Sequence, residues 1–311
     1  MTDDVARGTK ARRALVLGTL ACASWSTVFV LGRLAINRHA TDPVVLGLYR
    51  FALSGVVLAA VMVAVGRGRA LGAFLREPWH FLLLGLTGGF GMGFFVFLAL
   101  QQTNSVVVQI IMNSNPVLIV PLSLLIGERV GLGKVAGVAL GVGGCVLVLM
   151  GVSHDVVVAN PRHFSGGALA ALSGLFWAAY TVFGRDVVRR HGGLTTTTLS
   201  MLIGGAAFLV ACLAMGKSFV LPREGVLTGV YLALVPTVFG FTAWYVALED
   251  LPANVLGPIQ FIVPVGGVAL ALVLLPNETL TWLMVLGGVL ALGGVYLSTR
   301  GGGGARRGRE A

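Results

Sequence analysis

The residues of this chain best placed to do chemistry are polar and aromatic side chains set deep inside apolar segments. Ser105, Gln109 and Asn113 recur every four residues and run into Asn115 and Pro116. On a helix that spacing puts them on one face. Amides there can line a cavity and bind a carboxylate or amino group, or hydrogen-bond one helix to the next. Gln260, one turn before Pro264, repeats the pattern near the other end of the chain. Trp25 and Trp177 sit near the middle of their segments, too deep for interfacial anchors, with Tyr180 stacked three residues after Trp177, whereas Trp79 and Trp282 lie near segment ends. Such rings stack on a flat side chain and cap a cavity, or they fill a bundle core. Arg50 is a charge well inside an apolar segment. It can attract a carboxylate or pair with a helix end while partly snorkelling.

What is absent narrows the chemistry. All 12 Asp and Glu residues fall in tails, loops or segment ends. No embedded carboxylate is therefore expected to relay protons or neutralise a cationic ligand. The 3 cysteines (Cys22, Cys145 and Cys212) lie in apolar runs without CxxC or Cys/His spacing, and the 5 histidines are scattered. No metal, cofactor or catalytic constellation is expected, and the chain reads as a non-enzyme.

The elements that must position these residues follow from composition. Of 311 residues 56% are hydrophobic and 11% charged, against roughly 25% charged in a soluble domain. Mean hydropathy is +0.91. That composition excludes a cytosolic enzyme, a disordered chain and a nucleic-acid-binding module; the net charge of +10 sits in short clusters between apolar runs. Crossing a bilayer takes about 20 apolar residues. Ten stretches qualify: 14–36, 44–65, 79–100, 105–126, 132–150, 165–184, 194–215, 225–248, 253–275 and 280–298. The basic N-terminus leads into a first segment longer than a signal-peptide core, so it reads as a retained helix. With both termini inside, the cytoplasmic side collects Arg7, Lys10, Arg12, Arg13, Arg67, Arg69, Arg76, Arg129, Lys134, Arg185, Arg189, Arg190, Arg300, Arg306, Arg307 and Arg309. The outer side holds Arg33, Arg38, Arg162, Lys217 and Arg223, an asymmetry that fits the positive-inside rule.

The chain also repeats itself. WSTVFVLGR at 25–33 matches WAAYTVFGR at 177–185, at an offset of 152. Ala99-Leu100 matches Ala247-Leu248, Pro116 matches Pro264, Glu128 matches Glu278, and Gly143-Gly144 matches Gly293-Gly294, at offsets of 148 to 150. Halves of five spans each enter the membrane from opposite sides. The fold expected is therefore an all-α polytopic membrane protein of ten transmembrane helices in two inverted five-helix repeats. Its parts are a tail 1–13, a first repeat 14–150, an outer linker 151–164, a second repeat 165–298 and a basic tail 299–311. Inverted repeats place a substrate at the bilayer midplane and work by alternating access. Matched Pro116 and Pro264 are then candidate hinges.

On these residues the chain resembles the drug/metabolite transporter superfamily, in its ten-helix form with two EamA-type repeats. The resemblance rests on the Trp25…Gly32-Arg33 helix, Tyr49-Arg50-Phe51, Asn115-Pro116 followed by Gly127-Glu128-Arg129, and the glycine-rich fifth and tenth helices. It covers roughly residues 14–298. Pro276-Asn277-Glu278 stands in the second repeat where the pattern has Gly-Glu-Arg. Within the superfamily the chain is most similar to YddG-type exporters of aromatic and other amino acids. The resemblance implies a secondary carrier of amino acids and similar neutral metabolites in a bacterial-type inner membrane. Its implied partners are a small-molecule substrate and the lipid bilayer, with no nucleic acid and a monomeric chain. A carrier of sugar nucleotides, nucleosides or drugs is the alternative; a membrane enzyme and a channel are further ones. Trp25, Gln109, Asn113, Asn115, Trp177, Tyr180 and Gln260 are the candidate substrate contacts.

Overall fold

Helix is the way a backbone satisfies its own polar groups where water is scarce, and this chain uses it throughout. The structure, a computed structural model, describes residues 2–114, 117–118, 132–151, 162–250, 259–260, 262–275 and 278–300. Among them there is helix and connecting turn but no strand. We number the helices α1 (Thr2–Arg38), α2 (Pro43–Ala64), α3 (Pro78–Gln102), α4 (Ser105–Asn113) and α5 (Leu132–Met150). The second half continues with α6 (His163–His191) and α7 (Gly193–Ala214). After them come α8 (Arg223–Leu232, running on through Ala233–Phe239 and Gly240–Asp250), α9 (Ile262–Leu274) and α10 (Trp282–Arg300). Long apolar helices capable of crossing a bilayer are Lys10–Arg38, Pro43–Ala64, Pro78–Gln102, His163–Gly184, Gly193–Ala214 and Arg223–Ala247. Val135–Met150, Ile262–Leu274 and Trp282–Leu297 are shorter apolar helices. α1 starts at Thr2, within the segment expected to be a tail. Its Ala, Arg and Lys residues favour helix and carry it beyond the membrane-length stretch.

Local chemistry fixes the helix ends. Asp42 caps α2, its Oδ1 accepting from the N–H groups of Val44 (2.8 Å) and Val45 (3.2 Å), with Pro43 just inside, the arrangement expected at a helix start. α2 and α7 end alike. Gly66 and Gly216 take φ of +75° and +59°. The following N–H then returns to the helix, Arg67 to Met62 O and Lys217 to Cys212 O. Only glycine adopts that left-handed backbone without strain.

Packing repeats across the two halves. A Cβ on Gly55 would strike the backbone of Leu202, and one on Gly205 the backbone of Ala52. These two contacts exchange under an offset of 150, and their order makes α2 and α7 antiparallel. α5 and α10 behave likewise: Gly144 meets Gly287 and Ala291, and Gly294 meets Gly137 and Gly141. Small residues let backbones approach where there is little hydrophobic drive to hold helices together. Around these two central pairs, α1 lies against α8 and α9, and α6 against α3 and α4.

Two segments depart from α geometry, Gly85–Gly91 in α3 and Ala233–Phe239 in α8. Both are π-helical, and they stand 148 residues apart. In α8, Pro236 has no N–H to give, and Thr237 Oγ1 donates instead to Leu232 O at 2.8 Å. In α3, glycines let α6 and α7 come close: Tyr180 fills the space a side chain at Gly88 would need, and Phe176 that at Gly91. π turns inside α helices mark functional sites more often than chance.

The bundle has two polar ends. At one, Lys217 pairs with Asp42 at 2.8 Å and Arg33 with Glu278 at 3.5 Å. At the other, Glu77 holds Arg190 at 2.7 Å and His191 at 3.4 Å.

Candidate functional site

The π segment of α8 gathers the polar groups of the bundle interior. Trp25 on α1 donates its indole Nε1–H to Pro236 O at 2.8 Å. Gly240, one turn on, leaves the room this needs, since a Cβ there would strike Trp25 Nε1 and Ser24 Oγ. Ser54 on α2 reaches Ala233 O at 3.3 Å, and Arg50 donates from Nε to Thr237 Oγ1 at 3.2 Å. Arg50 is 5% exposed, with its guanidinium carbon 4.9 Å from the Phe51 ring centre and 5.9 Å from that of Phe97. Among the described residues no carboxylate pairs with it.

Next to this ladder Trp25, Trp177, Tyr180, Phe241 and Trp244 form an aromatic cluster. The Trp25 ring lies 5.4 Å from Phe241 and 5.5 Å from Trp244. Trp177 lies 6.2 Å from Phe241 and 5.3 Å from Tyr180. The two tryptophans of the repeated motif thus both contact Phe241. Both are half-buried, so parts of their rings remain open. Tyr180 is buried, close to Tyr245, whose hydroxyl accepts from Thr197 Oγ1 at 3.0 Å. Tilted and edge-on rings at these separations attract beyond their area burial.

The amide stripe of α4 is divided among different tasks. Ser105 belongs to the polar end: its N–H and hydroxyl donate to the two carboxylate oxygens of Glu278 at 2.7 Å each, and Val106 N–H adds a third bond at 3.2 Å. Glu278 therefore satisfies the open N-terminus of α4 from a turn 173 residues away, where the helix dipole also favours an anion. Gln109 is fully buried and donates to Val263 O on α9 at 2.6 Å. Among the described residues its Oε1 has no hydrogen-bond partner. Gly267 is small because the Gln109 amide occupies the place of a side chain. Asn113 is half-buried and donates to Gln109 O at 2.8 Å, leaving its amide oxygen for another partner. Asn115 and Pro116 lie outside the described residues. Pro264 is buried in α9, and Gln260 is exposed on the turn before it. Trp25, Trp177 and Tyr180 are thus brought together; Gln109 and Asn113 adjoin one another on α4; Gln260 is exposed.

The residues sequence reasoning passed over are Phe241, Trp244 and Tyr245. Their spacing of three and one on α8 places them on one helical face, a signal present in the sequence but common to any apolar helix. In the sequence Glu278 is the repeat counterpart of Glu128 in a turn that departs from the motif, with no role attached. A separate cleft of about 470 Å³ lies between α3 and α6, lined by Gln102, Arg162, Ser165, Ala168, Leu169 and Leu172. None of the candidate residues reaches it. Among the described residues no group of His, Cys, Asp and Glu could hold a metal ion.

Comparison with known proteins agrees with this architecture. The EamA-like transporter family matches residues 12–150 and 164–300. The aromatic amino acid exporter YddG of Ancylobacter novellus is 29% identical, the match covering 81% of this chain and 85% of that protein. A probable amino-acid metabolite efflux pump of Escherichia coli is 28% identical over 93% of this chain and 96% of its own. A solved crystal structure at 26% identity superposes with a TM-score of 0.65 over 96% of this chain and 98% of that one. The chain belongs to the EamA-like transporter family.

Proposed function

We propose that this protein is a secondary carrier exporting amino acids, aromatic ones included, and similar neutral metabolites across a bacterial-type inner membrane. The observation that carries the reading is the meeting of Trp25 and Trp177 over Phe241 in a bundle whose described carboxylates all lie at its ends. Half-open rings present a flat apolar face to a planar side chain. Neighbouring amide and carbonyl groups suit a zwitterion, and a cationic drug would find no embedded acid to neutralise it. Relatives whose names state amino-acid export or efflux support the same substrate class.

The mechanism proposed is alternating access by two inverted repeats, 14–150 and 165–298, with ten spans and both ends of the chain in the cytoplasm. The contact pairs related by an offset of 150 support it, as does the antiparallel run of α2 against α7 and α5 against α10. Paired π segments in α3 and α8 supply places for each half to bend, together with the prolines. We read the protein as a monomeric carrier, not an enzyme.

Counterflow in proteoliposomes tests the function. Liposomes loaded with unlabelled L-phenylalanine should accumulate the labelled amino acid without a pH gradient. Transport of cationic dyes alone, driven by a pH gradient, would overturn the reading.

A further inference from the structure

A charged guanidinium buried two turns inside a membrane helix needs a partner. Burying an ion without one is costly, and such residues pair or mark the path of a ligand. Arg50 has five N–H donors, of which the described structure engages one, at Thr237 Oγ1. Its charge is met by the faces of Phe51 and Phe97 and by no described carboxylate. A residue that only braced two helices would gain nothing from being charged here. Across the two-fold relation of α2 and α7 the position 150 residues on is Ser200, so the cation is not part of the shared scaffold. The α8 residues that hold Arg50 and Trp25 are neighbours in sequence: Thr237 takes the guanidinium, Pro236 O the indole. The cation and the aromatic cluster are thereby fixed to one π turn.

We infer that Arg50 is the carboxylate anchor of the transport site: held by Thr237, the residue after the carbonyl that holds Trp25, its guanidinium takes the α-carboxylate of the substrate. The substrate's side chain then lies among Trp25, Phe241 and Trp177. The inference rests on the amino-acid reading above and adds an orientation to it. A planar fork of donors suits a carboxylate, which it can bind through two parallel bonds. The two halves then offer unlike ends to the ligand, cationic on the α2 side and hydroxyl-bearing on the α7 side.

The test is competition against bound tritiated L-phenylalanine on the purified, detergent-solubilised protein. Three competitors dissect the ligand: L-phenylalaninol lacks the carboxylate, 3-phenylpropionate lacks the amine, and unlabelled L-phenylalanine keeps both. In the wild type, phenylalaninol should compete about 10- to 150-fold more weakly than phenylalanine, the range expected for bonds to a charged group. In R50Q that gap should close to within about threefold, through weaker binding of phenylalanine. T237V, which frees the guanidinium but keeps its charge, should narrow the gap less. Wild-type protein that binds phenylalaninol as well as phenylalanine overturns the inference, and this holds even if R50Q does not fold. R50Q that folds and retains the full gap also overturns it and makes Arg50 a brace. If the wild type does not bind phenylalanine, the amino-acid reading fails separately. Direct binding of labelled 3-phenylpropionate then decides: Arg50-dependent binding keeps the anchor, and no binding removes it.

Discussion

Replacing Glu278 with Gln should weaken the whole bundle, although the residue sits on a turn. Its two oxygens accept from Ser105 N–H, Ser105 Oγ–H and Val106 N–H, and Arg33 Nε stands 3.5 Å away. A glutamine keeps one acceptor and presents an NH₂ to the remaining donors. With its oxygen toward Ser105 Oγ and Val106 N–H, the amide loses the bond from Ser105 N–H and the other two lose their charge; a charge-assisted bond contributes about 1.5–3 kcal/mol. The Glu278 side chain is 4% exposed, so water does not replace it, whereas Arg33 at 19% is partly rehydrated. The net cost is about 3 kcal/mol, below the sum of these losses because the Arg33 end recovers solvent. For 311 residues that lowers the midpoint of thermal unfolding by about 4–5 °C. Intrinsic tryptophan fluorescence in detergent reads the transition. R33Q should cost less, and the coupling between positions 33 and 278 in the double mutant should stay near 0.5–1 kcal/mol. A midpoint for E278Q within about 2 °C of the wild type would refute the reasoning, since the end of α4 would then be satisfied without the carboxylate.

Other perturbations follow from the packing. Trp25→Phe keeps the ring against Phe241 but strips Pro236 O of its donor, and should cost about 1 kcal/mol while reducing counterflow. Gly144→Val meets the backbone of Ala291 and Gly287, whereas a side chain at Gly143 meets nothing within 4 Å. The first should lose at least about 3 kcal/mol and monodispersity on size exclusion, and the second should leave both unchanged. Asn113→Ala and Trp177→Ala should lower transport without lowering expression, and wild-type counterflow would remove either from the site. In a background without native cysteines, Leu75→Cys should react with an impermeant maleimide from the cytoplasmic face and Ser218→Cys from the outer face. The reverse pattern would invert the proposed topology.

What the sequence determined is what composition and short-range patterning can carry. Apolar length made the chain a helical membrane protein, because hydrocarbon leaves the backbone no partner but itself. The Trp…Gly-Arg motif and paired glycines marked two related halves. The Asp42 cap and the positive φ of Gly66 and Gly216, which end α2 and α7, came from the structure, although capping and positive φ are properties of single residues. The depth of Trp25 and Trp177 and the spacing of Tyr180 from Trp177 made them candidates, and in the structure they are linked through Phe241.

Only the tertiary structure decided how the polar residues are spent. Ser105, Gln109 and Asn113 look equivalent on one helix face. One nevertheless serves Glu278, one bridges to Val263, and one keeps an oxygen free. Nor could spacing show that Arg50 would meet Thr237, or that Trp25 would find a carbonyl at Pro236, 187 and 211 residues away. Both bonds depend on the π turn of α8, whose register is set by packing against α1 and α2. Local pattern records which face of a helix is polar, while the partner of each polar group is settled by which other helix folds against it.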